Sequence, residues 1–232
     1  MFGAPCLNLS CAFDTCAADP DGCCVRSYAG WLKSPLSTLH KDRKRCETGL
    51  AAALRSWQDC TMNGTITLHL TATSAADTAR IATRLGQGLK AGDVILLDGP
   101  VGAGKSVFAR ARIQSRLAEL GRWEDVPSPS FTLVQTYELD GITLWHADLY
   151  RLSDPQDCIE LGLDQAFEDA VCLVEWAERL GPLIPPGALH LQVAQGATPD
   201  MRELQFRTTN ARWAEPLAVL AASMAEGVGT DD

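Results

Sequence analysis

The chain of 232 residues is short of several things that would assign it to common classes of protein. Basic residues are outnumbered: residues 62 to 232 carry 13 Lys and Arg against 23 Asp and Glu, while residues 1 to 61 carry 7 against 6. A body this acidic repels a phosphate backbone, so any RNA is expected to be met only indirectly, held by another protein. No apolar run approaches the roughly 18 residues of a membrane span. The N-terminus also lacks the basic start and continuous apolar stretch of a signal peptide, so a cytoplasmic protein with no membrane partner is expected. Asparagine occurs only at Asn8, Asn63 and Asn210, never before lysine, which removes the Asn-Lys-x-Asp base-reading motif of GTPases.

Cysteine is scarce except at one end. Seven of nine (Cys6, Cys11, Cys16, Cys23, Cys24, Cys46 and Cys60) lie in the first 61 residues, and no two have the C-x-x-C spacing that lets neighbouring thiolates share one tetrahedral zinc. That stretch has no sustained period of 2 or 3.6. Residues 1–61 are therefore expected to be a disordered extension or a mis-assigned start, with a self-sufficient domain over 62–226 and a frayed tail over 227–232.

What is present is a phosphate loop. Gly99 to Ser106 reads GPVGAGKS, matching GxxxxGK[ST], after the apolar run Val94-Ile95-Leu96-Leu97 and before a helical pattern that begins near Lys105. Gly99, Gly102 and Gly104 let the backbone curl, so that successive N–H groups from Val101 through Ala103 to Ser106 form an anion nest at a helix N-terminus. Lys105 is positioned to reach phosphate oxygens, and the Ser106 hydroxyl is of the type that ligates Mg²⁺. The loop predicts a nucleoside triphosphate and magnesium.

The rest of the domain reads as α/β. Ile66, Leu68 and Leu70 alternate as a strand, and Ser74 caps a helix whose apolar face is expected at Ala75, Ala79, Ala82 and Leu85. The helix after the loop, with Phe108, Ile113, Leu117 and Leu120, stops at Gly121. Phe131 and Leu133 begin one extended run and Ile142 to Trp145 form another, with Asp140-Gly141 a hairpin turn between them. Asp148 falls just past the second run. Short helical turns over 153–170 lead to a buried strand, Val171 to Val174, tipped by Glu175-Trp176. Two further strands (188–193 and 203–208) and a closing helix (211–224) follow. The expected fold is a P-loop NTPase-type three-layer α/β domain with a mixed, mainly parallel sheet and an antiparallel hairpin.

Four blocks in order, GPVGAGKS, SPSFTLV (128–134), HADLYRL (146–152) and LVEW (173–176), resemble the bacterial tRNA threonylcarbamoyladenosine biosynthesis ATPase family, TsaE. Ser106 replaces the family's usual Thr, keeping the hydroxyl, and Ser130 stands where SPTF is commoner. The resemblance implies a Mg-dependent ATPase, slow without partners, that acts on the TsaB–TsaD complex in modifying adenosine 37 of tRNA. It makes Asp148 and Glu175 acidic residues for magnesium or the attacking water, beside Lys105 and Ser106. Thr132 and the preceding serines become a segment that senses the γ-phosphate. Trp176 is expected either to stack near the nucleotide or to fill the core, and the resemblance assigns Ser74, Thr78 and Arg202 to the base and ribose side. Arg151 is expected to order its loop through a salt bridge, and His146 is not assigned as a base. Two other readings fit the same loop: a nucleotide-dependent binding module with negligible turnover, and a small P-loop kinase, although no arginine cluster of a lid follows the central helix.

Overall fold

The computed structural model describes residues 64–226. The expectations for residues 1–61 and for the tail 227–232 lie outside them. Seven strands form one sheet: β1 (Ile66–Ala72), β2 (Val94–Asp98), β3 (Val134–Leu139), β4 (Ile142–Asp148), β5 (Val171–Glu175), β6 (Leu189–Gln195) and β7 (Arg202–Thr208). Their spatial order is β1-β7-β6-β2-β5-β4-β3. The four inner strands β6, β2, β5 and β4 are mutually parallel, and antiparallel strands complete both edges. Strand β2 reads Val-Ile-Leu-Leu because it is buried on both faces, as a central parallel strand must be.

Among the described residues five α-helices make the outer layers: α1 (Ala75–Gly86), α2 (Lys105–Glu119), α3 (Pro155–Glu160), α4 (Leu163–Asp169) and α5 (Ala214–Glu226). On one face Leu68, Leu97, Leu144, Leu173, Leu191 and Phe206 join a core with residues of α1, α2 and α5, among them Ile81, Phe108, Ile113 and Leu217. On the other, Leu96, Ala147, Cys172 and Val174 pack with Cys158, Leu163 and Ala166 of the two short helices. The result is the expected three-layer α/β domain.

Local chemistry sets the element ends. Ser74 accepts from the Asp77 N–H at 3.2 Å, and the Asp77 carboxylate takes the Thr73 N–H at 2.9 Å and the Thr73 hydroxyl. These exchanges satisfy donors that a bare helix start leaves open. Helix α2 ends in a Schellman pattern: Gly121, at φ +67°, donates to Ala118 and Arg122 donates to Leu117. Asp140 and Gly141 both have positive φ, 54° and 79°, which gives the β3–β4 hairpin its two-residue type I′ turn.

Four local expectations are corrected. The buried face of α1 is Thr78, Ile81, Ala82, Leu85 and Gly86, not the stripe through Ala75 and Ala79, because the larger side chains turn toward α2 and the sheet. The extended run does not begin at Phe131. The Leu133 N–H closes a turn onto the Pro129 carbonyl at 2.7 Å and Leu133 takes φ +66°, so β3 starts at Val134. Asp148 is the last residue of β4 and not a residue beyond it, since pairing with β5 extends the strand to the Asp148–Glu175 register. The closing helix opens with a 3-10 turn over Ala211–Trp213, capped by the Asn210 side chain, before α5 begins.

Candidate nucleotide site

Three of the inner parallel strands, β2, β5 and β4, lie side by side and end at one edge of the sheet, at Asp98, Glu175 and Asp148. Carboxyl ends of adjacent parallel strands are where α/β folds gather ligand-binding groups. The loop after β2 needs its glycines. Gly99 has φ +141°, and a Cβ there would come within 2.2 Å of the Val193 carbonyl oxygen on β6. Gly104 caps α2 at φ +111°, with no side chain bonding the first helical N–H groups and no acidic residue in the first turn. The 15-residue helix thus presents an uncapped positive end to the loop. Val101 is exposed at the loop tip, and Ala103 is buried against the core.

Lys105 is buried, and its ammonium donates to the carbonyls of Gly99 at 2.7 Å and Pro100 at 3.0 Å. It also lies 4.1 Å from the centre of the Trp176 ring, a cation–π distance. Trp176 takes φ +60° immediately after β5, which directs its half-buried indole over the loop and within 5.1 Å of the Tyr150 ring.

The next residue of α2, Ser106, donates its hydroxyl to Glu175 Oε2 at 2.9 Å, while His146 Nε2 lies 2.9 Å from Glu175 Oε1. Both Glu175 and His146 are buried. Asp148, also buried, accepts from the Ser130 hydroxyl at 2.7 Å and the Ser128 hydroxyl at 3.2 Å through Oδ2, and from the Tyr150 N–H at 3.3 Å through Oδ1. Arg151 donates to the Phe131 carbonyl at 2.7 Å. It therefore orders the 128–133 segment through a backbone oxygen and the Phe131 ring, and not through the expected acidic partner.

The predicted residues thus fall into linked groups. Lys105, Ser106, Glu175 and Trp176 are in direct contact, and Asp148 stands beside Glu175 in strand register. Arg202, at the start of β7, joins the loop by donating to the Ala103 carbonyl at 2.7 Å. Ser74 and Thr78 do not meet these groups: Ser74 caps α1, and the Thr78 hydroxyl bonds back to the Ser74 carbonyl. Thr132 is exposed on the turn that precedes β3. Sequence reasoning undervalued His146. The signal was available, since His146 and Asp148 are two apart on one strand and therefore share a face.

The donor set suits a hard cation. It consists of a hydroxyl and buried carboxylates, and among the described residues no three His, Cys, Asp or Glu side chains form a metal-binding group. A site with one or two protein oxygens is the kind Mg²⁺ uses when phosphates and water complete its shell. A cavity of about 530 Å³ opens beside the loop, lined by Asp98, Gly99, Pro100, Trp176, Glu178 and His190 among others.

A family model described as "Threonylcarbamoyl adenosine biosynthesis protein TsaE" matches residues 72–204. The chain is 37% identical over 123 residues to the tRNA threonylcarbamoyladenosine biosynthesis protein TsaE of Rickettsia conorii, covering 53% of this chain and 69% of that protein. It is 36% identical over 138 residues to the protein of the same name from Bacillus subtilis, covering 59% and 83%. Among solved structures, Bacillus subtilis YdiB superposes with a TM-score of 0.57 at 28% identity, over 69% of this chain and 97% of that one.

Proposed function

Because the chain belongs to the threonylcarbamoyl adenosine biosynthesis TsaE family, we propose that it is a Mg-dependent ATPase serving threonylcarbamoyl modification of tRNA adenosine, acting on a TsaB–TsaD type complex. The observation that carries this reading is the contact between the phosphate loop and the tip of β5, where the Ser106 hydroxyl meets Glu175 at 2.9 Å beside Lys105. In this reading the N–H groups of residues 101–106 bind the phosphates, and Lys105 exchanges its loop carbonyls for phosphate oxygens. Ser106, Asp148 and Glu175 would hold the metal directly or through water. When bound, Mg²⁺ would neutralise charge developing on the phosphate oxygens. Asp148 and Glu175 orient the attacking water, Trp176 shields the phosphate end from bulk solvent, and Arg202 fixes the loop's far side. Ser74, which follows the end of β1 whose Ala72 pairs with Arg202, would face the base and ribose side, with Thr78 supporting it through its bond to the Ser74 carbonyl.

Hydrolysis would release the Ser128 and Ser130 contacts and alter the surface around the exposed Phe131 and Tyr150, which is offered to the protein partner. The acidic domain leaves tRNA to that partner. The test measures nucleotide affinity and ATP turnover for the protein alone and with the TsaB–TsaD complex, against Lys105→Ala. The expected result is Mg-dependent turnover, raised by the complex and lost in the variant. Absence of hydrolysis in both conditions would reject the ATPase and leave a nucleotide-responsive binding module.

A further inference from the structure

One buried polar group near this site does nothing that packing requires. His146 is fully buried in the middle of β4, with Leu173 of β5 and Gln135 of β3 as its cross-strand neighbours. Its Nδ1 has no hydrogen-bond partner among the described residues, so all the polarity of the ring that they engage is directed through Nε2 to Glu175. Leaving a buried nitrogen unsatisfied is costly, and an apolar residue of similar volume would avoid that cost in a strand whose Leu144 and Ala147 are already apolar. Stability therefore does not account for an imidazole here. Its geometry toward Glu175 does.

A carboxylate only accepts, so the contact places an imidazole proton on Nε2. Glu175 is consequently held at both oxygens: Oε1 by the imidazole N–H and Oε2 by the Ser106 hydroxyl. Without the imidazole, Oε1 would be a buried lone oxygen, and the carboxylate would turn to share its other donor. We infer that His146 is a positioning residue, which commits Oε1 to itself and keeps Oε2 turned toward Ser106 as the oxygen available to a divalent cation. Groups in this supporting position orient a metal's ligands, and their loss typically lowers metal affinity about 10–100-fold. The inference rests on reading residues 99–106 and Glu175 as a Mg–nucleotide site, and it adds a residue that acts only through another.

The test uses the full chain and reads binding rather than turnover. Mn²⁺ affinity is measured by electron paramagnetic resonance in the presence of ADP, and affinity for a fluorescent ADP is measured separately in EDTA. His146→Phe keeps the ring volume but loses the N–H, while the amide of His146→Gln can still donate to Glu175. The Phe variant is expected to lose about 10–100-fold in Mn²⁺ affinity with nucleotide affinity in EDTA within about twofold, and the Gln variant to stay within about threefold of wild type for the metal. Should the Phe variant not fold by thermal melting, His146→Asn, whose amide is too short to span the distance, takes its place with the same expectation. Unchanged metal affinity without the N–H, or a Gln variant as weak as the Phe variant, would overturn the inference alone. A wild-type protein whose nucleotide complex takes up no divalent metal would overturn the site reading itself, and the inference with it.

Discussion

Asp148 and Glu175 end adjacent parallel strands as direct register partners, yet their carboxylates are held by different parts of the chain. Glu175 is gripped by the helix after the phosphate loop and by its neighbouring strand, through Ser106 and His146. Asp148 is gripped by the segment before β3, through Ser128 and Ser130. One carboxylate therefore reports on the loop and the other on a surface turn. This division gives the two acids different expected phenotypes.

Glu175→Ala is expected to retain nucleotide binding, since the loop N–H groups and Lys105 are untouched, and to lose turnover by about 100-fold or more. Equilibrium binding of a fluorescent nucleotide beside a phosphate-release assay separates the two. Turnover at the wild-type level would remove Glu175 from the mechanism.

Asp148→Ala is expected to free the 128–133 segment. Two hydroxyl bonds to a carboxylate are lost, each worth about 1.5–3 kcal/mol when fully formed, and only the backbone bonds of Leu133, to the Pro129 carbonyl and from the N–H of residue 148, still hold the turn. Hydrogen exchange at residues 130–133 should accelerate by about tenfold or more while β2 and β5 stay protected. Equal exchange in variant and wild type would show that Asp148 does not hold the turn.

Gly99→Ala puts a methyl group against the Val193 carbonyl and forces an L-residue to φ +141°. Strain of this kind costs on the order of 1–3 kcal/mol. A lower midpoint of denaturant unfolding is expected, together with weaker nucleotide binding as the loop shifts away from β6. The same substitution at Gly102, where a Cβ would meet nothing within 4 Å, carries the strain of φ +78° without the clash. It should destabilise less, and the order of the two midpoints checks the account.

The N-terminus of α1 should carry an acid-sensitive contribution to stability. The Thr73 hydroxyl, more than the neighbouring Arg80, holds the Asp77 carboxyl down from 3.8 to about 2. A folded-state value below the unfolded one means that ionised Asp77 stabilises the fold above pH 3.8, and that this contribution fades as pH falls toward about 2. Thermal melting across that window should show the loss, and Asp77→Asn should flatten its share of it. An Asn variant with the same pH slope as wild type would exclude Asp77 as the source.

Local features were legible because their causes are local. Asp140-Gly141 reads as a type I′ turn since both positions need positive φ, and Gly121 reads as a helix stop for the same reason. The phosphate loop is legible because its glycines and Lys105 serve one short stretch of backbone. The turn over 131–133 was misread as strand. Leu133 adopts a left-handed conformation that no leucine prefers, and it is held there by Pro129 and by the Asp148 N–H that binds the Leu133 carbonyl. The face of α1 was misread because small alanines mark both sides of that helix, and only packing against the sheet selects Ile81 and Leu85.

The sequence by itself determined that a phosphate-binding loop follows a buried strand, that an acidic residue tips each of two further runs, and to which family these blocks belong. Those are properties of residue type and short spacing. Only the tertiary structure decided that β5 and β4 lie in turn beside β2, that β1 closes the far edge antiparallel to β7, and that His146 meets Glu175 across 29 residues of chain. Strand order and register come from burying two apolar faces of one sheet at once, and that balance is not written in any single segment.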